Sequence, residues 1–245
     1  MIEFKNVSFS YEKEHPVLKN MSFSIEKGEA LGLIGANGAG KSSMLKVLLG
    51  LLPHEGEILV NDIPLCKQNL AQIRRVLGFV LQNSDNQMFM PTVYDDMMFG
   101  LLNYGMNKED AERRVDAVLE QLGLTQLKNK YNHKISGGEK RMAAIATVLA
   151  MEPEVIIMDE PSVSLDPYNR RAVINVINSL TQTKIIASHD LDMIMETCRR
   201  VILISDGQIV ASGDTDEILR NKELLESNRM ELPFGLASAH NLQIK

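Results

Sequence analysis

Apolar residues follow two rhythms along this chain. Residues 2–9 and 21–25 alternate polar and apolar, the period of half-buried strands, with a polar turn between them. ALGLIG at 30–35 is short and continuously apolar, as in a strand buried on both faces. Residues 41–52 then read as a helix that Pro53 stops. Further strands are predicted over 57–60 and 77–82. From 92 to 150 the spacing turns helical. Within that stretch Val115, Val118, Leu119 and Leu122 line one face of a helix over 109–122, and Gly123 ends it. VIIMD at 155–159 returns to a buried strand, 167–180 reads as a helix and KIIAS at 184–188 as a strand. Residues 200–204 and 208–211 form a hairpin turning at Asp206–Gly207. The pattern predicts an α/β core over 1–228, interrupted by a helical segment at about 83–150, with a short C-terminal extension at 229–245. No repeat, low-complexity tract or linker breaks it.

Composition narrows the class. With 245 residues, 44% hydrophobic content and a mean hydropathy of -0.09, the chain can bury an ordinary core. A net charge of -6 argues against a nucleic-acid binder, whose surface is usually basic. Cys66 and Cys198 form no C-x-x-C pair and read as two reduced thiols in a cytosolic setting. The N-terminus reads as a strand rather than a signal peptide. No run of ~18 apolar residues exists to span a bilayer. If this chain serves transport, the pore belongs to another chain.

Chemistry enters at GANGAGKS, which fits G-x-x-x-x-G-K-[ST] between a predicted strand and a predicted helix. Gly35, Ala36, Asn37, Gly38, Ala39 and Gly40 would wrap an anion with backbone N–H groups. Lys41 would place a charge on the β- and γ-phosphates, and Ser42 would ligate Mg²⁺, with Ser43 beside it. VIIMDE puts Asp159 at the end of a buried strand, placed to hold Mg²⁺, and Glu160 next to it, placed to polarise a water. A second anion site opens at ISGGEK, where Ser136, Gly137 and Gly138 precede an apolar helix.

Taken together, these motifs resemble the ATP-binding cassette (ABC) ATPases over almost the whole chain. GANGAGKS is similar to their Walker A, VIIMDE to their Walker B and ISGGEK to their signature motif. Gln82, ending a predicted strand, resembles the Q-loop glutamine. SVSLD at 162–166 is a loose D-loop, His189 resembles the switch histidine and Tyr11 the adenine-stacking aromatic. The resemblance implies a P-loop core with an antiparallel β subdomain and an inserted α-helical subdomain. It implies binding and hydrolysis of ATP with Mg²⁺. Glu160 would activate the water, His189 would hold the γ-phosphate, and Gln82 would touch the metal or the water. It also implies a head-to-tail dimer, homo- or heteromeric, in which Ser136, Gly137 and Gly138 face the nucleotide bound on the partner.

A narrower resemblance follows Gln82. LQNSDNQMFMPTVYDDMMFGLLNYGM is similar to a segment of the ATPases of energy-coupling factor (ECF) transporters, including the cobalt/nickel type. Ser84 replaces the usual proline, and Met97 and Met98 replace smaller aliphatics. Glu139 stands where many cassettes carry Gln, and Met142 where Arg is common, with Arg141 just before it. The resemblance implies two ATPases on the cytoplasmic face of the cell membrane. They would dock on a membrane-embedded coupling protein that works with a substrate-binding membrane protein. The cargo would be a micronutrient, with cobalt or nickel ahead of vitamins. Met88, Phe89, Met90, Met97, Met98 and Phe99 are expected to divide about evenly between the docking wall and the core. Two rival readings keep the cassette: a soluble ATPase acting on DNA or ribosomes, and a degenerate cassette that binds ATP to regulate a partner. The acidic charge opposes the first, and the intact Lys41, Asp159, Glu160 and His189 oppose the second.

Overall fold

A computed structural model describes residues 1–12 and 15–237. In chain order its elements are β1 (Ile2–Glu12), β2 (His15–Ile25), β3 (Ala30–Ile34), α1 (Lys41–Leu48), β4 (Glu55–Val60), β5 (Ile63–Pro64), α2 (Leu70–Val76) and β6 (Leu77–Val80). They continue with α3 (Val93–Asn103), α4 (Lys108–Gln121), α5 (Gly137–Ala150), β7 (Val155–Asp159), α6 (Pro167–Ser179), β8 (Thr183–Ala187), α7 (Leu191–Thr197), β9 (Arg200–Ser205), β10 (Gln208–Asp214), α8 (Thr215–Arg220) and α9 (Lys222–Ser227). Residues 238–245 of the expected C-terminal extension lie outside the described residues.

The chain divides into two compact units, 1–76 with 181–245 and 77–180. The first holds two sheets. One is antiparallel, in the order β2-β1-β4-β5. In the other, β3 lies parallel to β8 on one side and to β9 on the other, and β10 pairs antiparallel with β9. Leu31, Leu33, Ile34, Ile185, Ile186, Ala187, Val201, Ile202 and Leu203 are fully buried there, which is why these strands read as apolar runs without alternation. The β9–β10 hairpin turns at Asp206 and Gly207, both at positive φ, as the sequence predicts. β1 and β2 run longer than predicted, because each continues pairing with the other as far as Glu12 and His15.

Helix α1 ends at Leu48 rather than at 52. Gly50, at φ 62°, folds the chain back so that its N–H reaches Val47 O and the N–H of Leu51 reaches Lys46 O at 2.9 Å each, a Schellman closure ahead of Pro53.

The second unit packs α3, α4 and α5 with the parallel pair β6 and β7 and helix α6. Thr92 starts α3 through a reciprocal capping box with Asp95, and Ser136 starts α5 in the same way with Glu139. α5 is buried from Arg141 to Ala146, so its register is set by packing on several sides.

Candidate functional site

Within the first unit, the loop between β3 and α1 is shaped for an anion. Gly35, Gly38 and Gly40 all lie at positive φ. A Cβ on Gly35 would stand 2.2 Å from Ile204 O, so only glycine fits where the loop leaves β3. Helix α1 begins at Gly40 with no side-chain cap and no acidic residue in its first turn, which leaves its N-terminal N–H groups and positive dipole end for a ligand. Ala36, Asn37 and Ala39 complete the loop, and the N–H of Ala39 closes a turn on Ala36 O at 3.1 Å. Lys41 is buried, with Nζ donating to Gly35 O at 2.6 Å and to Ala36 O at 3.2 Å. The ammonium therefore already stands over the loop. Ser42 and Ser43 follow in the first turn of α1, both half-buried. Tyr11 is 61% exposed, packs edge-on against Phe9 and brings its Oη to 3.4 Å from Ser43 Oγ. His189 follows β8, which pairs in parallel with β3 at Leu33 and Ala187, so it leaves the same sheet edge as the phosphate loop. Its backbone is held by Ser188, whose N–H bonds Leu33 O, and by Asp190, whose N–H bonds Ser188 Oγ.

Within the second unit, Asp159 ends the fully buried β7 and Glu160 follows it, both only 7% exposed. Glu160 takes a left-handed φ of 48°, and the N–H of Val163 bonds its carbonyl at 3.3 Å. The expected D-loop ends at Asp166, which caps α6 by accepting from the N–H groups of Tyr168 and Asn169. Those bonds, with the Asn169 side chain, hold the Asp166 carboxyl below its ordinary range.

Gln82 does not end a strand. β6 stops at Val80, because the N–H of Leu81 leaves the ladder for Gln87 Oε1 at 3.0 Å. Gln82 lies exposed in the following loop. It shares a cleft of about 570 Å³ with Asn83, Gly137, Lys140, Ser164 and Leu165.

Ser136 Oγ accepts from the N–H of Glu139 at 3.2 Å, and Glu139 Oε2 accepts from the N–H of Ser136 at 2.8 Å. That backbone bond, helped by Lys130, holds the Glu139 carboxyl below its ordinary range. Glutamate thus performs the capping task here that an amide could perform. The two signature glycines differ. A Cβ on Gly137 would meet nothing within 4 Å, whereas one on Gly138 would stand 2.1 Å from Asn169 Cγ.

Reasoning from the sequence missed Gln87 and Arg141, which tie the loop of Gln82 to α5. A visible signal was an arginine at the head of the apolar run of α5; Gln87, at the end of the polar stretch NSDNQ, gave none. Of the six Met and Phe residues, Met88, Met97 and Met98 are buried, Met90 is half-buried, and Phe89 and Phe99 stay 63% and 44% exposed. The two phenylalanines pack edge to face at 5.1 Å. Asp96, buried beneath them, accepts from the N–H groups of Phe89 and Met90 at 3.1 Å each. Burial pushes its carboxyl up.

The shape of this loop, at the edge of a parallel sheet, is that of a phosphate-binding loop. The sequence model of the ABC transporter family matches residues 18–163. The chain is 38% identical over 239 residues to the energy-coupling factor transporter ATP-binding protein EcfA of Methanothermobacter thermautotrophicus, covering 95% of this chain and 77% of that one. Among solved structures it is similar to cbiO1 of Clostridium perfringens, part of the ABC transporter complex cbiONQ, with a TM-score of 0.83 and 32% identity over 92% of this chain and 93% of that one. It is also similar to the ATP-binding cassette MJ0796, solved as a dimer in a post-hydrolysis state with ADP and Pi, with a TM-score of 0.78 and 27% identity over 88% of this chain and 99% of that one. The chain belongs to the ABC transporter family, and its fold is that of the family's nucleotide-binding domain. Within the family it is an ATP-hydrolysing subunit of the energy-coupling factor type.

Proposed function

We propose that this chain binds MgATP, dimerises head to tail and hydrolyses ATP to drive uptake of a micronutrient through separate membrane subunits. Cobalt or nickel ions come ahead of vitamins as cargo. The observation that carries the reading is the glycine loop with Lys41 poised over it at the uncapped end of α1. When phosphates enter, Lys41 exchanges two loop carbonyls for phosphate oxygens, and the α1 N–H groups take the charge. Tyr11 offers an exposed ring to the base.

Among the described residues no group of three His, Cys, Asp or Glu could by itself cage a metal. That suits Mg²⁺, which leans on phosphates and water with few protein ligands. Ser42, Gln82 and Asp159 would hold it, and it would neutralise charge developing on the phosphates. Glu160 takes a proton from the attacking water or orients it, and His189 donates to the γ-phosphate. Ser136 and the N–H groups of Gly137 and Gly138 complete the site of the partner cassette.

Among the described residues no helix is long and apolar enough to cross a membrane. The likeness to transporter ATP-binding proteins supports a peripheral place for the chain, at the cytoplasmic face. The exposed Phe89–Phe99 pair forms the wall on which a helix of the membrane coupling protein docks. The test is Glu160→Gln in the complex assembled with its membrane partners. Steady-state ATPase should fall at least a hundredfold while ATP binding persists. Intact turnover would refute the assignment.

A further inference from the structure

Arg141 is an anomaly on its helix. On α5 it heads the buried run 141–146, and is itself only 4% exposed. Among the described residues it makes no ion pair. Its guanidinium reaches the start of the Gln82 loop instead. Nη1 donates to Leu81 O at 2.6 Å and Nη2 donates to Gln82 O, while Nε finds no partner. A cation removed from water and spent on two carbonyls is a costly way to fill a core position. The carbonyls explain it. Both lie just past the end of β6, outside the sheet ladder, and need donors.

A second tie reinforces the first. Gln87 accepts from the N–H of Leu81 at 3.0 Å, and its Nε2 donates to Ala144 O at 2.7 Å and Thr147 Oγ1 at 3.0 Å. Both ties end on α5, the helix whose first turn carries Gly137 and Gly138. The side chain of Gln82 and the signature turn face the same cleft.

The geometry points to Arg141 as a positioning residue that fastens Gln82 to the signature helix, so that the two move as one body. This rests on the functional reading above, in which Gln82 serves hydrolysis and the signature turn serves the partner's nucleotide. A push on the loop by the membrane partner then reaches the signature turn without a separate relay. Arginine meets the two carbonyls with two separate nitrogens of one rigid fork, a geometry that a lysine ammonium on its flexible stem reproduces only in part.

The experiment is a double-mutant cycle in the assembled complex, with Arg141→Met, Arg141→Lys, Gln82→Ala and Gln82→Ala/Arg141→Met. Arg141→Met should lower kcat about tenfold with KM for ATP within twofold, and Arg141→Lys should recover part of the loss. The double variant should be no slower than Gln82→Ala alone, within a factor of two. A further tenfold loss in the double variant would mean that Arg141 acts independently of Gln82 and would overturn the proposal. Amide hydrogen exchange on the same chains tests the tie itself. Arg141→Met should speed exchange at Leu81 and Gln82 tenfold or more, and unchanged rates would overturn it even if activity falls. Should Gln82→Ala keep full turnover, the catalytic role of Gln82 falls, and the exchange data alone decide for or against the tie.

Discussion

The two signature glycines should fail in opposite ways when each gains one methyl group. Both lie in the first turn of α5 at ordinary helical φ, so alanine suits the backbone at either position. Replacing glycine by alanine at a compatible site stabilises by ~0.4–1 kcal/mol, mainly through the unfolded chain. At Gly137 the new Cβ meets nothing within 4 Å, so that gain is unopposed. For a chain of this size each kcal/mol moves Tm by ~2–4 °C, so Gly137→Ala should melt ~1–4 °C higher than wild type. At Gly138 the Cβ lands 2.1 Å from Asn169 Cγ, and Asn169 is itself tied to Asp166 Oδ2 at 2.5 Å. Overpacking of this kind costs ~1–3 kcal/mol and a broken hydrogen bond ~1 kcal/mol. After subtracting the alanine gain, Gly138→Ala should lose ~1–3.6 kcal/mol and melt ~2–14 °C lower. Adding Asn169→Ala should restore most of that. Function should sort differently. The methyl of Gly137→Ala stands on the open face proposed to meet the partner's nucleotide, so ATP-driven dimerisation should fall at least tenfold in a protein more stable than wild type. Calorimetry without nucleotide and size-exclusion chromatography with ATP, on the Glu160→Gln background to slow hydrolysis, read the two effects. If Gly138→Ala melts like wild type, or Gly137→Ala still dimerises normally, the division of labour between the glycines is wrong.

Lys41→Ala removes a charged donor worth ~3 kcal/mol at most, so ATP affinity by titration calorimetry should drop up to ~100-fold, and a loss under threefold would contradict its role. Phe89→Ser with Phe99→Ser should shift Tm by less than ~2 °C, because both rings are exposed, yet abolish co-purification with the membrane coupling protein; retained co-purification would place docking elsewhere. Burial pushes the Cys198 thiol to about 12, above its ordinary value, so in the fold it stays protonated to higher pH than in the unfolded chain. At pH 8 a thiol reagent should therefore modify Cys66 alone until the protein is unfolded, when a second equivalent reacts; two fast equivalents would contradict the burial.

What could be read in the chain was whatever depends on short range. The apolar run 30–35, the glycines after it and the helix from Lys41 predict a strand, a loop and a helix in sequence, and β3 and α1 follow that order. The Asp206–Gly207 turn is equally local. Boundaries set by tertiary partners were not legible. β6 stops at Val80 because Gln87 claims the N–H of Leu81, and Gln87 is held in turn by α5, more than fifty residues on. No local pattern around 77–82 reports that. Among the six Met and Phe residues, spacing alone did not tell core from surface. Met97 and Met98 turn inward on α3 while Phe99 turns out, and the loop holding Phe89 is fixed by Asp96 from below. Arg141 was visible as the charge that heads the apolar run of α5, but its purpose became readable only once Leu81 and Gln82 stood beside it.

Glu160 sits at φ 48°, a backbone region that a residue with a Cβ enters only at a penalty of ~1–2 kcal/mol. Asparagine or glycine would relieve it. A screen for heat tolerance alone would therefore favour changes at this position, and each would remove the carboxylate proposed to activate water. Thermal hardening of this cassette and preservation of its turnover are opposed at one dihedral angle, so any stabilised variant should be sequenced first at residue 160.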